Sequence, residues 1–81
     1  MTQKEIEKEL LHFLKTSILA EKVDLSETDE LRSIGVDSFS IVEIILFIER
    51  KFGLILPDNQ LLPENFKSVE SIASLVSKAL K

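Results

Sequence analysis

Asp37-Ser38-Phe39 places one hydroxyl between an acid and a bulky apolar residue, at the end of a long polar stretch and just ahead of a run of apolar residues. The pattern predicts a helix that starts here. A helix N-terminus presents unpaired N–H groups and a partial positive charge, so it suits a serine that will carry a phosphate. Ser38 is the best placed of the nine serines for that chemistry. A plainer account also fits: Asp37 caps the helix and Ser38 is its first residue. Other chemistries are poorly supplied. A serine nucleophile needs a base, and the single histidine, His12, falls on another predicted helix with no evident acidic partner. With only Gly35 and Gly53, no phosphate-cradling loop is encoded. Asp24, Asp29 and Asp37 lack the spacing of a calcium loop. No catalytic residue and no metal site is expected.

Composition narrows the field further. A chain of 81 residues and 9.2 kDa buries only roughly 60–65% of its unfolded surface, so a surface site or a groove between helices is easier to build than a deep catalytic cleft. Cysteine is absent, which excludes disulfides and thiolate metal sites. The net charge is -4 with no basic cluster, which argues against nucleic acid and anionic membranes and favours partners bearing basic patches. The N-terminus opens no apolar leader, and no apolar run approaches a membrane span. The expectation is one cytoplasmic domain over residues 1–81, a monomer.

The elements that must position Ser38 follow from periodicity. Thr2 and Glu5 have the spacing of a capping box, and Ile6, Leu10, Phe13, Leu14 and Ile18 recur at helical spacing, giving a helix over 3–19 with His12 at its surface. Residues 20–37 lack periodicity; Val23, Leu25, Leu31, Ile34 and Val36 are candidates to pin this long loop, with a helical turn around Asp29–Ser33. The second helix spans 37–52, capped by Asp37 and stopped by Gly53. At about 100° per residue, Ile41, Ile44, Ile45, Ile48 and Phe52 share one arc and form a core face. Phe39, Val42 and Leu46 form a second stripe, bordered by Glu43, Glu49 and Arg50. That stripe is either a partner-facing patch or core wrapped by another helix. Leu54–Asp58 is too short and proline-limited for a strand. A short helix is predicted over 58–62, stopped by Pro63. A last helix runs over 68–80, capped by Ser68 and burying Val69, Ile72, Ala73, Val76, Ala79 and Leu80. The fold class is all-α, a small bundle of three main helices and one short one.

Gly35-Val36-Asp37-Ser38-Phe39, with Val42-Glu43, Phe52-Gly53-Leu54 and Pro57 at their spacings, resembles the acyl carrier protein family, which includes the aminoacyl and peptidyl carriers. The resemblance covers nearly the whole chain. It implies a four-helix carrier bundle without catalytic activity. A 4'-phosphopantetheine arm would be attached to Ser38, transferred from coenzyme A by a phosphopantetheinyl transferase, with Asp37 orienting the serine in that enzyme. The thiol of the arm would hold acyl groups as thioesters. The resemblance also favours the patch reading: Phe39, Val42 and Leu46 would dock partners, with Glu43 and Glu49 meeting their basic residues. Expected partners are the transferase, an acyl- or aminoacyl-loading ligase, and downstream acyltransferases or synthases.

Departures from the family pattern refine the expectation. Phe39 stands where leucine is usual, Arg32-Ser33 where an acidic residue is common, and Arg50-Lys51 make the second helix near neutral. Steering to highly basic surfaces is weakened accordingly. A specialised stand-alone acyl carrier for a lipid, polyketide or secondary-metabolite pathway fits better than the general carrier of fatty acid biosynthesis. The alternatives are an aminoacyl or peptidyl carrier loaded by an adenylating ligase, or a helical interaction module with no prosthetic group.

Overall fold

A computed structural model describes residues 2–18 and 25–80, leaving out the side chain of Ile18. Its described residues form three α-helices, α1 (Gln3–Phe13), α2 (Ser38–Phe52) and α3 (Val69–Ala79), joined by short helical turns without any strand. The all-α expectation holds.

Each helix starts where its capping chemistry dictates. The Glu5 N–H donates to Thr2 Oγ1 and the Thr2 N–H donates to Glu5 Oε1, closing the capping box of α1. These bonds from Thr2 hold the Glu5 carboxyl below its usual range. The Ser40 N–H donates to Asp37 Oδ1 at 2.9 Å, and the Ser71 N–H donates to Ser68 Oγ at 3.1 Å, so Asp37 and Ser68 are the N-caps of α2 and α3. At the other end of α2, Gly53 takes φ 63°, the left-handed stop that a β-carbon would strain.

The core gathers Ile6, Leu10 and Leu14 from the first helix, Ile44 and Ile48 from α2, and Val69, Ile72, Ala73 and Val76 from α3, all inaccessible to solvent. Of the long loop, Leu25, Leu31 and Val36 are buried and Ile34 packs against the core, while Val23 lies outside the described residues. The backbones of α1 and α3 approach most closely, and α2 reaches them through its long side chains. Phe13 of α1 stacks on Phe47 of α2 with ring centroids 4.2 Å apart, and Phe47 meets Phe52 edge-on at 6.2 Å.

The structure corrects four sequence-based boundaries. The first helix does not run evenly over 3–19: it widens into a π-helical turn at Leu14–Ile18, and Leu19 lies outside the described residues. The Thr16 hydroxyl donates to the His12 carbonyl there, and the Leu14 N–H divides between Leu10 and Leu11, which disturbs the regular ladder. The helical turn expected around Asp29–Ser33 is a 3-10 turn at Leu31–Ile34. The short helix expected at 58–62 is two 3-10 turns, Asp58–Gln60 and Pro63–Phe66. Pro63 begins the second turn, because its fixed φ suits a first helical position. Finally, Ala79 and Leu80 are exposed among the described residues: the last turn of α3 continues its apolar period beyond the packed interior.

Candidate functional site

Three backbone bonds fix the approach to Ser38. The Val36 N–H donates to the Leu31 carbonyl at 3.0 Å, folding the end of the loop back over its 3-10 turn. Gly35, at φ 99°, makes that reversal possible. The Leu31 N–H donates to the Lys67 carbonyl at 2.9 Å, and the Glu70 N–H donates to the Glu27 carbonyl at 2.8 Å. The loop is thereby strapped to the start of α3. Buried Leu31 and Val36 anchor it from below.

The loop delivers Asp37 and Ser38, both exposed, to the first turn of α2. The Asp37 carboxylate is occupied by the Ser40 N–H, and that bond is the leading reason its carboxyl titrates below the usual range. Among the described residues, no hydrogen bond engages the Ser38 hydroxyl. It is an exposed nucleophile-sized group at the positive end of a fifteen-residue helix. The capping role of Asp37 is therefore real, and it leaves the adjacent hydroxyl available for modification.

Beside Ser38 opens a groove of about 630 Å³. One wall is α2, through Ile41 and Ile45; the other is the returning segment, through Leu61, Leu62 and Phe66. Arg32 and Lys67 reach the same groove, as do Glu30 and Glu64. The second wall escaped the sequence reading because its residues sit in short 3-10 turns, where no periodicity reveals a face. Leu62, apolar and 42% exposed beside Pro63, was the available signal.

On the outer side of α2, Phe39 is 72% exposed, Val42 53% and Leu46 45%. Glu43 and Glu49 flank them, partly exposed, and Arg50 is exposed one turn beyond Leu46. No element of the described chain wraps this stripe, so it is not interior core. Lys51 turns away and pairs with Glu9 of α1 at 3.4 Å. His12 is exposed and takes no part in the groove. No cluster of metal-ligating side chains occurs among the described residues, and no helix there is long and apolar enough to cross a membrane.

A family model described as a phosphopantetheine attachment site matches residues 12–76. The chain belongs to the phosphopantetheine-binding carrier proteins. These proteins carry their cargo on a covalent 4'-phosphopantetheine and are carriers rather than enzymes. Aminoacyl carrier protein 2 of Bradyrhizobium diazoefficiens is 37% identical over 57 residues, which cover 70% of this chain and 64% of that protein. The chain thus spans less than two thirds of that relative's length. The acyl carrier protein of Coprothermobacter proteolyticus is 27% identical over 81 residues, covering 99% of this chain and 96% of that protein. Among solved structures, the chain is similar to one in the crystal structure of Bradyrhizobium japonicum glycine:[carrier protein] ligase complexed with glycylated carrier protein. There the TM-score is 0.71 and the identity 29%, covering 90% of this chain and 96% of that one. The complex of that ligase with its cognate carrier protein and an analogue of glycyl adenylate gives a TM-score of 0.74.

The residues present fit the prosthetic group of the family. An exposed, unengaged hydroxyl stands at a helix N-terminus, next to a groove with apolar walls and a charged rim.

Proposed function

We propose that Ser38 is the attachment point of 4'-phosphopantetheine and that the protein shuttles an aminoacyl or other acyl group between partner enzymes. The observation that carries this reading is the Ser38 hydroxyl, exposed and without a hydrogen-bond partner among the described residues, at the N-terminus of α2 and within the stretch matched by the family model. In a phosphopantetheinyl transferase, this oxygen would attack coenzyme A and release 3',5'-ADP. Its proton passes to the transferase, and a phosphodiester remains on Ser38. When attached, the arm supplies a thiol that holds cargo as a thioester. Asp37 keeps the first turn in register so that Ser38 projects outward.

Similarity to an aminoacyl carrier and to chains in two carrier–ligase complexes favours an aminoacyl cargo loaded by an adenylating ligase. A second reading, an acyl carrier for a specialised lipid, polyketide or secondary-metabolite pathway, is favoured by the full-length match to an acyl carrier protein. Under either reading, Phe39, Val42 and Leu46 dock the partner and Glu43 and Glu49 meet its basic groups. We also infer a single domain, acting as a monomer in the cytoplasm.

The test is intact mass after incubation with coenzyme A, magnesium and a broad-specificity transferase. Wild type gains one phosphopantetheine and Ser38→Ala gains none. Equal gain by both would sink the assignment to Ser38. Loading assays with amino acids and with fatty acids, each with a matching ligase, then separate the two cargo readings.

A further inference from the structure

A main-chain bond ties the turn that carries Arg32 to the backbone of Lys67. The Leu31 N–H donates to the Lys67 carbonyl at 2.9 Å, so the residue after Leu31 and the residue offering that carbonyl are neighbours across the groove. Both side chains are exposed, and both line the groove that holds Ser38. Among the described residues, neither has a carboxylate within 4.0 Å. Glu30, Glu64 and Asp37 line the same groove and keep their charge, but among the described residues none pairs with either cation. Both cations therefore keep donors free for an anion that is fixed within reach of them.

The site of attachment determines which anion that is. A phosphorus bonded to Ser38 Oγ stays within a few ångströms of it. Ser38 follows by two residues Val36, whose N–H is bonded back to the turn that carries Arg32. Arginine and lysine have long, flexible stems that reach an anion at this range, and arginine matches phosphate oxygens in a fork. We propose that Arg32 and Lys67 hold the phosphodiester on Ser38, fixing the root of the arm along the groove. The proposal rests on Ser38 being the attachment point. The N-terminus of α2 acts on the same group, but it cannot discriminate among directions in which the arm leaves; a pair of cations on one side of Ser38 can.

The experiment compares apo and holo forms of wild type, Arg32→Gln, Lys67→Gln and the double variant, with conversion verified by mass. Both substitutions are at exposed side chains and leave the Lys67 carbonyl in place. At low salt, the change in melting temperature from apo to holo should be more favourable in wild type than in the double variant. The expected gap is about 2–4 °C, the scale of exposed charge-assisted contacts in a domain of this size. It should shrink toward zero in molar salt. The phosphodiester ³¹P resonance should move in the variants, and the Arg32 Nε–H resonance should move on conversion of wild type. Identical apo-to-holo steps and identical ³¹P positions in wild type and double variant would overturn the proposal. So would a step that appears only after loading a carboxylate-bearing cargo such as a succinyl group, because the cations would then serve the cargo. Failure to gain mass at all would remove the Ser38 assignment itself, a distinct outcome from full conversion without these shifts.

Discussion

Replacing Leu46 by aspartate tests whether the outer stripe of α2 is a docking surface. Leu46 is 45% exposed, so its side chain has surrendered only about half of the area that full burial would remove. Full burial of a leucine is worth about 1.5–3 kcal/mol, so the substitution forfeits about 1–1.5 kcal/mol. The poorer helix propensity of aspartate adds about 0.5 kcal/mol. A chain of this length has a total stability of about 4–12 kcal/mol, and each kcal/mol moves the midpoint of such a domain by about 4–8 °C. Leu46→Asp should therefore melt cooperatively, about 6–15 °C below wild type, with its helical circular dichroism intact at 20 °C. Ile48→Ala is the control: Ile48 is wholly inaccessible, and its truncation costs about 2–5 kcal/mol. In the transferase and ligase assays the order should reverse. At a temperature where both are folded, Leu46→Asp should slow modification about tenfold or more, because a carboxylate would enter an apolar contact, whereas Ile48→Ala should react near the wild-type rate. If Leu46→Asp loses its melting transition, or if it is modified and loaded as fast as wild type, the docking interpretation of Phe39, Val42 and Leu46 fails.

Further expectations follow from the same geometry. Asp37→Ala should lower the urea midpoint of unfolding through loss of the α2 cap. Because the folded Asp37 carboxyl titrates below its ordinary value of 3.8, its contribution is complete above that value and is lost as the pH falls through the folded pKa. Asp37→Asn retains a cap but cannot titrate, so its acid unfolding profile should be shallower than that of wild type below about pH 5; superimposable profiles would contradict the sign. Phe13→Ala should cost about 2–4 kcal/mol by removing the stack that joins α1 to α2, measured by chemical denaturation. Gly53→Ala should cost about 1 kcal/mol although a β-carbon there meets nothing within 4 Å, since the penalty is the positive φ alone. A change below a few tenths would show that the helix stop can relax.

Local chemistry in the sequence determined where the helices begin. Thr2, Asp37 and Ser68 each offer an oxygen to the N–H three residues on, and that preference needs no distant partner. The same holds for Gly53, where only the backbone is at stake. Ser38 was legible because its place between a loop and a capped helix is written in residue order, and the spacing to Phe52-Gly53 pointed to the carrier family. Periodicity likewise found Ile44 and Ile48, but it could not say whether Phe39, Val42 and Leu46 were covered, since an apolar stripe has the same spacing on a buried helix and on a docking face. It also extended the buried face of α3 through Ala79 and Leu80, which are exposed among the described residues. The Phe13–Phe47 stack, the second wall of the groove and the adjacency of Arg32 and Lys67 depend on segments far apart in the chain. Only tertiary structure decides those, because burial and charge proximity are set by what folds against a residue, and the 3-10 turns that do the folding here are too short to announce a face of their own.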